Sequence, residues 1–175
     1  MVASALGNGI IGGMRAADAS QTELFSFVSI DERVPPKHPI RALRSAAATV
    51  LVELRPRLDD VYPRAGVSAT IAPEQVLRAM VIWGVYSLPS ERQLIEQLSY
   101  NLLFRWFVGL EISSPDWPRT TFILNRRRLQ DAGLVAEFLA RLLTRSKGRL
   151  LANAHFTVNR SLFDVWLGQT SIDWL

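Results

Sequence analysis

Apolar residues recur at intervals of three and four along most of the chain, which is the pattern of amphipathic helices. The first predicted helix begins at Ile40 and is expected to bend or end near Pro56. A second begins at Pro73, because a proline in a first turn loses no hydrogen bond. Residues 74–86 of this helix are apolar nearly all round. The pattern therefore places the second helix in the centre of the domain.

Three further helices follow from capping residues and periodicity. Ser90 and Gln93 match a capping box, which predicts a helix running from there to Gly109. Its aromatic residues could stack on bases, but their helical spacing favours core packing. Thr120 and Thr121 can cap a helix that ends at Gly133, and residues 134–145 form the last predicted helix.

Two end segments fall outside this helical pattern. Residues 1–22 are rich in glycine, have no basic segment ahead of their apolar run, and are expected to form a disordered leader. Beyond Arg149, the alternation in residues 155–159 predicts a short strand, and residues 162–167 predict a second. Two strands alone are marginally stable in water. We therefore expect residues 150–175 to be the truncated start of a further domain.

The composition narrows the functional classes. The chain has 175 residues, 49% of them hydrophobic, and no cysteine. The lack of cysteine excludes a disulfide framework, a zinc finger and a thiol nucleophile. The longest uncharged run, from Met1 to Met14, is shorter than the roughly 18 residues that a membrane-spanning helix needs. We therefore expect a cytoplasmic protein with no membrane partner.

Positive charge is concentrated in one region of the chain. From Arg119 to Arg149 there are eight basic and two acidic residues, whereas the remainder has twelve basic and fourteen acidic residues. Such a concentration is typical of a surface that binds phosphate, although charge alone is equally compatible with a solvated face. On the helix that follows Thr121, Arg127 and Arg128 are expected opposite the apolar stripe.

Several stretches also carry a family resemblance. They are Glu23–Phe25, Asp31–Pro35, His38–Pro39, Ser90–Leu94, Tyr100–Leu110, Thr121–Phe122, Asn125–Arg126 and His155–Asn159. Together they resemble the N-terminal helical domain of bacterial insertion-sequence transposases of the DDE type. The resemblance covers roughly residues 14–166, and the run from Tyr100 to Leu110 is its most specific part.

The resemblance implies a mainly α fold. Residues 23–149 would form a helical bundle with a helix-turn-helix-like DNA-binding segment, followed by the first one or two strands of an incomplete ribonuclease H-like domain. It implies sequence-specific binding to double-stranded DNA at the ends of the insertion element during transposition. From the resemblance, the charge and the helix positions together, we expect these residues to contact DNA: Thr121, Asn125, Arg126, Arg127, Arg128, Arg141 and Arg145.

The resemblance also bears on catalysis. Complete family members hold Mg²⁺ with three carboxylates, the first in a phrase similar to Phe-Ser-Val-Asp-Gly-Thr. Here Asn159 occupies the position of that aspartate, with Arg160 beside it, and Asp164 is a poor substitute. The amide keeps an oxygen but lacks the negative charge on which Mg²⁺ binding depends. The other two carboxylates of the family come beyond residue 175.

We therefore expect a transposase fragment with no cofactor, no metal site and no strand cleavage of its own. His38 and His155 have no companion at metal-ligand spacing and are interpreted as structural. Cleavage would require another polypeptide to supply the missing carboxylates. A different hypothesis is a helical interaction module, with residues 79–86 at its interface, that associates with a second copy or with intact transposase and inhibits it.

Overall fold

A computed structural model describes residues 29–62, 71–146 and 153–168, and this part of the chain contains eight α-helices and no strand. The predicted mainly α class is confirmed. The predicted leader, Lys147 and Arg149 lie outside the described residues. The helices are α1 (Ile30–Arg33), α2 (Ile40–Val61), α3 (Pro73–Val85), α4 (Glu91–Tyr100), α5 (Leu102–Val108), α6 (Arg119–Asp131), α7 (Leu134–Ser146) and α8 (Arg160–Leu167).

The predicted central helix, α3, lies at the centre of the fold. It contacts α2 and each helix from α4 to α8, and its apolar residues are buried on several sides. The proposed interface at residues 79–86 is therefore occupied by the core of the chain itself, since Ala79, Met80, Val81, Ile82 and Val85 are all buried there. Core packing thus accounts for most of these apolar residues, and the interaction-module hypothesis itself stays a prediction.

Helices α2 and α7 pack along one another and close one side of the core. The apolar residues of α2 recur at three and four, and all of them are buried: Ile40, Leu43, Ala47, Val50, Leu51, Leu54 and Leu58. Of the two expectations for Pro56, an end of the helix there is wrong, because α2 continues to Val61, whereas a bend stays a prediction. Pro56 cannot donate to the carbonyl of Val52, but both residues are on the exposed side of the helix, where water can bind that carbonyl.

The helix predicted from Ser90 to Gly109 is two helices that break at Asn101. The Asn101 side chain accepts hydrogen bonds from the N–H groups of Leu103 and Phe104, which makes it the N-cap of α5. An asparagine can satisfy free backbone donors in this way, so it competes with helix continuation. Both predicted ends hold, since the Ser90 side chain caps α4 and Gly109, with a φ of 88°, ends α5.

Core packing of the aromatic residues is confirmed for most of this segment. Phe104, Trp106 and Phe107 are buried, whereas Tyr100 is exposed. The three buried rings are therefore not available as a platform on which bases could stack.

The prediction that Thr120 or Thr121 caps α6 is wrong. Helix α6 begins before both threonines, at Arg119, with Pro118 as its N-cap and no side-chain capping bond. Pro118 has a φ of −63°, which a proline ring favours in any case. Both threonines consequently lie in the first turn. The helix ends at Asp131, and α7 follows after the predicted stop at Gly133.

The prediction of strands after residue 150 is wrong for the described residues. Residues 155–159 are not in a strand, and residues 162–167 belong to α8, so α7 is not the last helix. The buried residues of α8, Phe163 and Trp166, are three apart, while Val165 is exposed. That spacing buries one helical face, and it outweighs the β-propensity of the segment.

Helix α8 packs closely on the centre of the fold. The N–H of Asn159 donates to the carbonyl of Gly84 at 2.8 Å, and a Cβ on Gly84 would lie only 2.5 Å from the Phe163 ring. A glycine is therefore required at position 84 for this approach. Within the described residues, no helix has the combination of length and apolar character that a membrane span requires.

Candidate nucleic-acid interface

Helix α6 presents one exposed face. Thr120, Leu124, Arg127 and Arg128 are exposed, and their separations of three, four and seven residues place them on the same side of the helix. The opposite side carries Phe122 and Leu129, both fully buried. We call Thr120, Leu124, Arg127 and Arg128 the α6 face. Asp131 is also exposed, at its C-terminal end.

Arg127 is the arginine of the α6 face that makes no polar or ring contact with another described side chain. It forms no hydrogen bond or ion pair with any residue in the described part of the chain, Asp131 included. A guanidinium carries five N–H donors in a planar fork and stays charged at all physiological pH values. The Arg127 side chain is therefore free to bind an anion or an acceptor atom on a base.

Arg128 is held in place but keeps its hydrogen-bonding capacity. Its guanidinium carbon lies 5.2 Å from the centroid of the Tyr62 ring at the end of α2. Burial raises the pKa of Tyr62, and the nearby charge of Arg128 opposes that shift. A contact through the face of the guanidinium leaves its N–H groups available in the plane. Arg128 is thus both oriented and able to bind a phosphate.

Arg126, although predicted to contact DNA, is engaged within the fold. Its Nη2 lies 2.5 Å from Oε1 of Glu91 on α4, and its Nη1 donates to Gln130 at 2.6 Å. The side chain is only 17% exposed. Arg126 is four residues after Phe122, so helical periodicity already placed it beside the buried stripe. Its observed contacts join α6 to α4.

Asn125 and Thr121 lie at the margin of the α6 face. Both are half-buried, and the Asn125 side-chain amide donates to the Thr121 carbonyl at 2.8 Å. The Asn125 carbonyl in turn accepts a hydrogen bond from the Tyr62 hydroxyl at 3.2 Å. These contacts anchor the middle of α6 to the end of α2.

Arg141 and Arg145 take part in an ion-pair network between α2 and α7. Arg141 pairs with Glu137 at 2.6 Å and with Glu53 at 3.5 Å, and Arg145 pairs with Glu53. Arg57 pairs with Glu137 at 2.6 Å and also donates to the Ala132 carbonyl, where α6 ends. Three arginines share two glutamates, so the network keeps one excess positive charge. Both predicted residues are therefore partly neutralised before any DNA is present.

The structure brings Asn159 and the two histidines into positions that the sequence did not indicate. The Asn159 side chain accepts from the N–H of Leu162 at 3.0 Å and so caps α8. The rings of His38 and His155 meet edge to face, with centroids 5.5 Å apart. Burial, and then the neighbouring His155, lower the pKa of His38. The histidines are more than a hundred positions apart in the sequence, and no short-range pattern signals their contact.

Among the described residues, no three His, Asp or Glu side chains form a group that could hold a metal ion. The chain contains no cysteine that could add to such a group.

Sequence reasoning missed two members of the α6 face. Thr120 was interpreted as a cap and Leu124 was not considered, although Leu124 is 66% exposed. The available signal was periodicity, because Leu124 is three and Thr120 seven residues before Arg127.

Comparison with known families gives a match for the part of the chain that contains this face. The model of the transposase domain family DUF772 matches residues 28–128, which is more than half of the chain. This chain belongs to that transposase domain family. The match runs from before α1 to Arg128 and so includes the whole α6 face. No curated protein and no solved structure matches the chain.

Proposed function

We propose that this transposase domain binds duplex DNA through the α6 face, at the ends of an insertion element. The observation that carries the proposal is the pair of exposed arginines, Arg127 and Arg128, which have no carboxylate partner among the described residues. In contrast, Arg126 on α6 and both Arg141 and Arg145 on α7 form ion pairs with glutamates. Uncompensated charge on one exposed helical face favours an anionic polymer as the partner.

The chemistry of the α6 face fits the major groove. A groove about 12 Å wide accepts a helix, and an arginine can donate two hydrogen bonds to the O6 and N7 atoms of guanine or to a phosphate. An exposed leucine such as Leu124 can contact the methyl group of thymine. In this proposal α6 acts as the recognition helix of a helix-turn-helix-like arrangement. Asn125 and Thr121 position the helix from its margin.

The partly neutralised arginines of α7 have a secondary role. Arg141 and Arg145 would contact the DNA backbone through the donors that Glu53 and Glu137 leave free. Because each must share a carboxylate, each adds less to DNA affinity than Arg127 does.

We further propose that this chain does not cleave DNA on its own. The family resemblance points to Mg²⁺ at the position of Asn159, but the residues there do not fit the ion. The Asn159 oxygen accepts the hydrogen bond that caps α8, and the amide brings no negative charge. Binding to DNA is accordingly expected to be independent of Mg²⁺.

A selection from a randomised duplex pool tests the binding proposal. The full chain should enrich a defined sequence motif, whereas R127Q/R128Q should not. The matched control is R92Q, because Arg92 is an exposed arginine on α4 with no hydrogen bond or ion pair to a described residue. Enrichment of the same motif by the double variant would refute the role of the α6 face, and the absence of any duplex binding would refute DNA recognition altogether.

A further inference from the structure

A second group of arginines lies near the start of α2, around the indole of Trp106. Arg41 and Arg44 come from α2, Arg78 from α3 and Trp106 from α5. The guanidinium carbons of Arg41 and Arg44 lie 5.0 and 4.2 Å from the centroid of the Trp106 ring. The indole is buried, and it forms cation–π contacts with both guanidiniums.

Arg41 is saturated by the fold. Its Nη1 lies 2.9 Å from a carboxylate oxygen of Asp31, and its other donors bind the carbonyls of Asp31, Val34 and Pro35. Asp31 also accepts a hydrogen bond from the Trp106 indole at 2.8 Å. The Arg41 guanidinium and the Trp106 indole hold the pKa of Asp31 below its usual value. The charges of Arg41 and Asp31 therefore cancel.

Arg44 and Arg78 keep unused donors. Arg44 forms no hydrogen bond or ion pair with a residue in the described ranges. Arg78 donates from Nη1 to the Val108 carbonyl at 3.1 Å, but its Nε is buried without a partner. Glu74 is one turn before Arg78 on α3, and the two do not form an ion pair. Burial lowers the pKa of both arginines. The charge of Asp31 opposes this shift at Arg44, and the charge of Glu74 opposes it at Arg78, while a neighbouring arginine adds to the shift at each. Partly buried charges without a directly bound counter-ion are costly, and an anion between them would offset that cost.

The two arginines face a cavity of about 310 Å³, which is lined also by Ser45, Ala48, Trp106 and the Arg41–Asp31 ion pair. This volume is at the lower end of the range for small-ligand pockets, roughly 300–1,000 Å³. Ala48 presents only a methyl group, and the exposed Ser45 can add a hydroxyl donor. Gly109 makes room for the Arg78 guanidinium, because a Cβ there would lie 3.0 Å from Nη1. The cavity thus combines space, the cations Arg44 and Arg78, a neutral donor, and a carboxylate, Asp31, whose charge Arg41 offsets.

We propose that this cavity binds a phosphate group between the guanidiniums of Arg44 and Arg78, with the Ser45 hydroxyl as a further donor. Planar guanidinium forks match the oxygens of a phosphate. The group could belong to free phosphate or to a DNA backbone. Tyr62, which supports Arg128, is about 27 Å further along α2 at about 1.5 Å per residue, a span of roughly eight base pairs. One duplex could therefore reach both sites.

Thermal unfolding of the full chain tests the site with inorganic phosphate as the probe. Phosphate, compared with chloride at equal ionic strength, should raise the Tm of the wild-type chain and of R55Q more than that of R44Q and R44Q/R78Q. Arg55 is an exposed arginine on the same helix, α2, and serves as the matched control. Phosphate also stabilises proteins nonspecifically, so an equal rise in all four proteins would refute specific phosphate binding. The single variant keeps the test valid if the double variant folds poorly.

A duplex titration identifies the source of the phosphate. If R44Q lowers duplex affinity and reduces the slope of log affinity against log salt by about one, a DNA phosphate occupies the site. If R44Q loses the phosphate effect but binds duplex like wild type, the site takes free phosphate. If R44Q keeps the wild-type response of the Tm to phosphate and also binds duplex like wild type, the proposal is overturned. The phosphate arm does not depend on the α6 face, so it stays informative even if the wild-type chain binds no duplex.

Discussion

At the scale of single residues, the described part of the fold separates arginines that pair with carboxylates from arginines whose donors stay free. Arg126 is 17% exposed and paired with Glu91, whereas Arg127 is exposed and has no partner among the described residues. Substituting R126Q should lower the free energy of unfolding by about 1.5–3 kcal/mol, and R127Q should change it by less than about 0.5 kcal/mol. Urea unfolding measures both. Equal effects of the two substitutions would show that Arg127 has a structural contact.

Among the described glycines, Gly84 leaves the least room for a side chain. A Cβ at this position would lie 2.5 Å from the Phe163 ring, so G84A must push α3 and α8 apart. We expect a loss of about 1–3 kcal/mol in the free energy of unfolding. The second substitution F163L should recover part of that loss in the G84A background. A stable G84A protein with no response to F163L would contradict the packing of α8 on α3.

His38 gives the fold a pH dependence. Its pKa is lowered from 6.5 by burial and by His155, so the folded protein binds the proton more weakly than the unfolded chain does. The corresponding stability is complete above pH 6.5 and is lost as the pH falls below that value. The Tm of wild type should therefore decrease on mild acidification, and that of H38Q should decrease less. Parallel decreases would assign the effect to other groups.

At the scale of elements, the sequence predicted helices well where one face is apolar over several turns. Helix α3, with its proline start, and the stop of α5 at Gly109 were found from local signals. The break at Asn101 and the continuation of α2 through Pro56 were not predicted, because each depends on the hydrogen bonds or the exposure of one residue in the folded chain. At Asn101 a side chain takes over backbone donors, and at Pro56 the freed carbonyl lies on the exposed side.

The C-terminal element was mispredicted for a different reason. In residues 162–167, β-propensity and resemblance both favoured a strand, but the tertiary contacts of Phe163 and Trp166 with the core select a helix. Likewise, the sequence located the basic helix α6 but not the pairing of Arg126, Arg141 and Arg145, since their glutamate partners come from other helices or another turn. The partners of Arg126 and Arg145 are distant in sequence and carry no local signature, whereas the Arg141–Glu137 pair is four residues apart on α7 and could have been predicted.

The capping role of Asn159 gives a prediction for α8. N159D keeps a cap acceptor and should leave the free energy of unfolding nearly unchanged, whereas N159A should lower it by about 1 kcal/mol. Although N159D restores the carboxylate that the family resemblance implies, one added charge does not build a metal site. Strand nicking is measured with labelled duplex and Mg²⁺. Nicking by N159D above a no-protein control would contradict our account of this position.

At the scale of the whole molecule, two surfaces within the described ranges each bring together arginines that have no ion-pair partner. One is the α6 face, and the other is the pair Arg44 and Arg78 beside Trp106. In the α2–α7 network, by contrast, Glu53 and Glu137 pair with three arginines and leave one excess positive charge. In the described part of the chain, uncompensated arginines therefore lie close together on two surfaces although the net charge of the chain is only +4.

Glu53 and Glu137 determine how much of the arginine charge in the α2–α7 network is neutralised. Replacing Glu53 by glutamine frees donors on Arg141 and Arg145, so E53Q should bind duplex DNA more tightly than wild type, by roughly threefold to tenfold at low ionic strength. Fluorescence anisotropy with a labelled duplex measures the change. Unaltered affinity would show that the α7 arginines do not meet DNA.

The most direct test of the central claim is the salt dependence of duplex binding by the full chain and by R127Q/R128Q. If the α6 face neutralises phosphates, the slope of log affinity against log salt should fall by roughly two in the double variant. The control R92Q should keep the wild-type slope. Identical slopes in wild type and R127Q/R128Q would contradict DNA binding by α6.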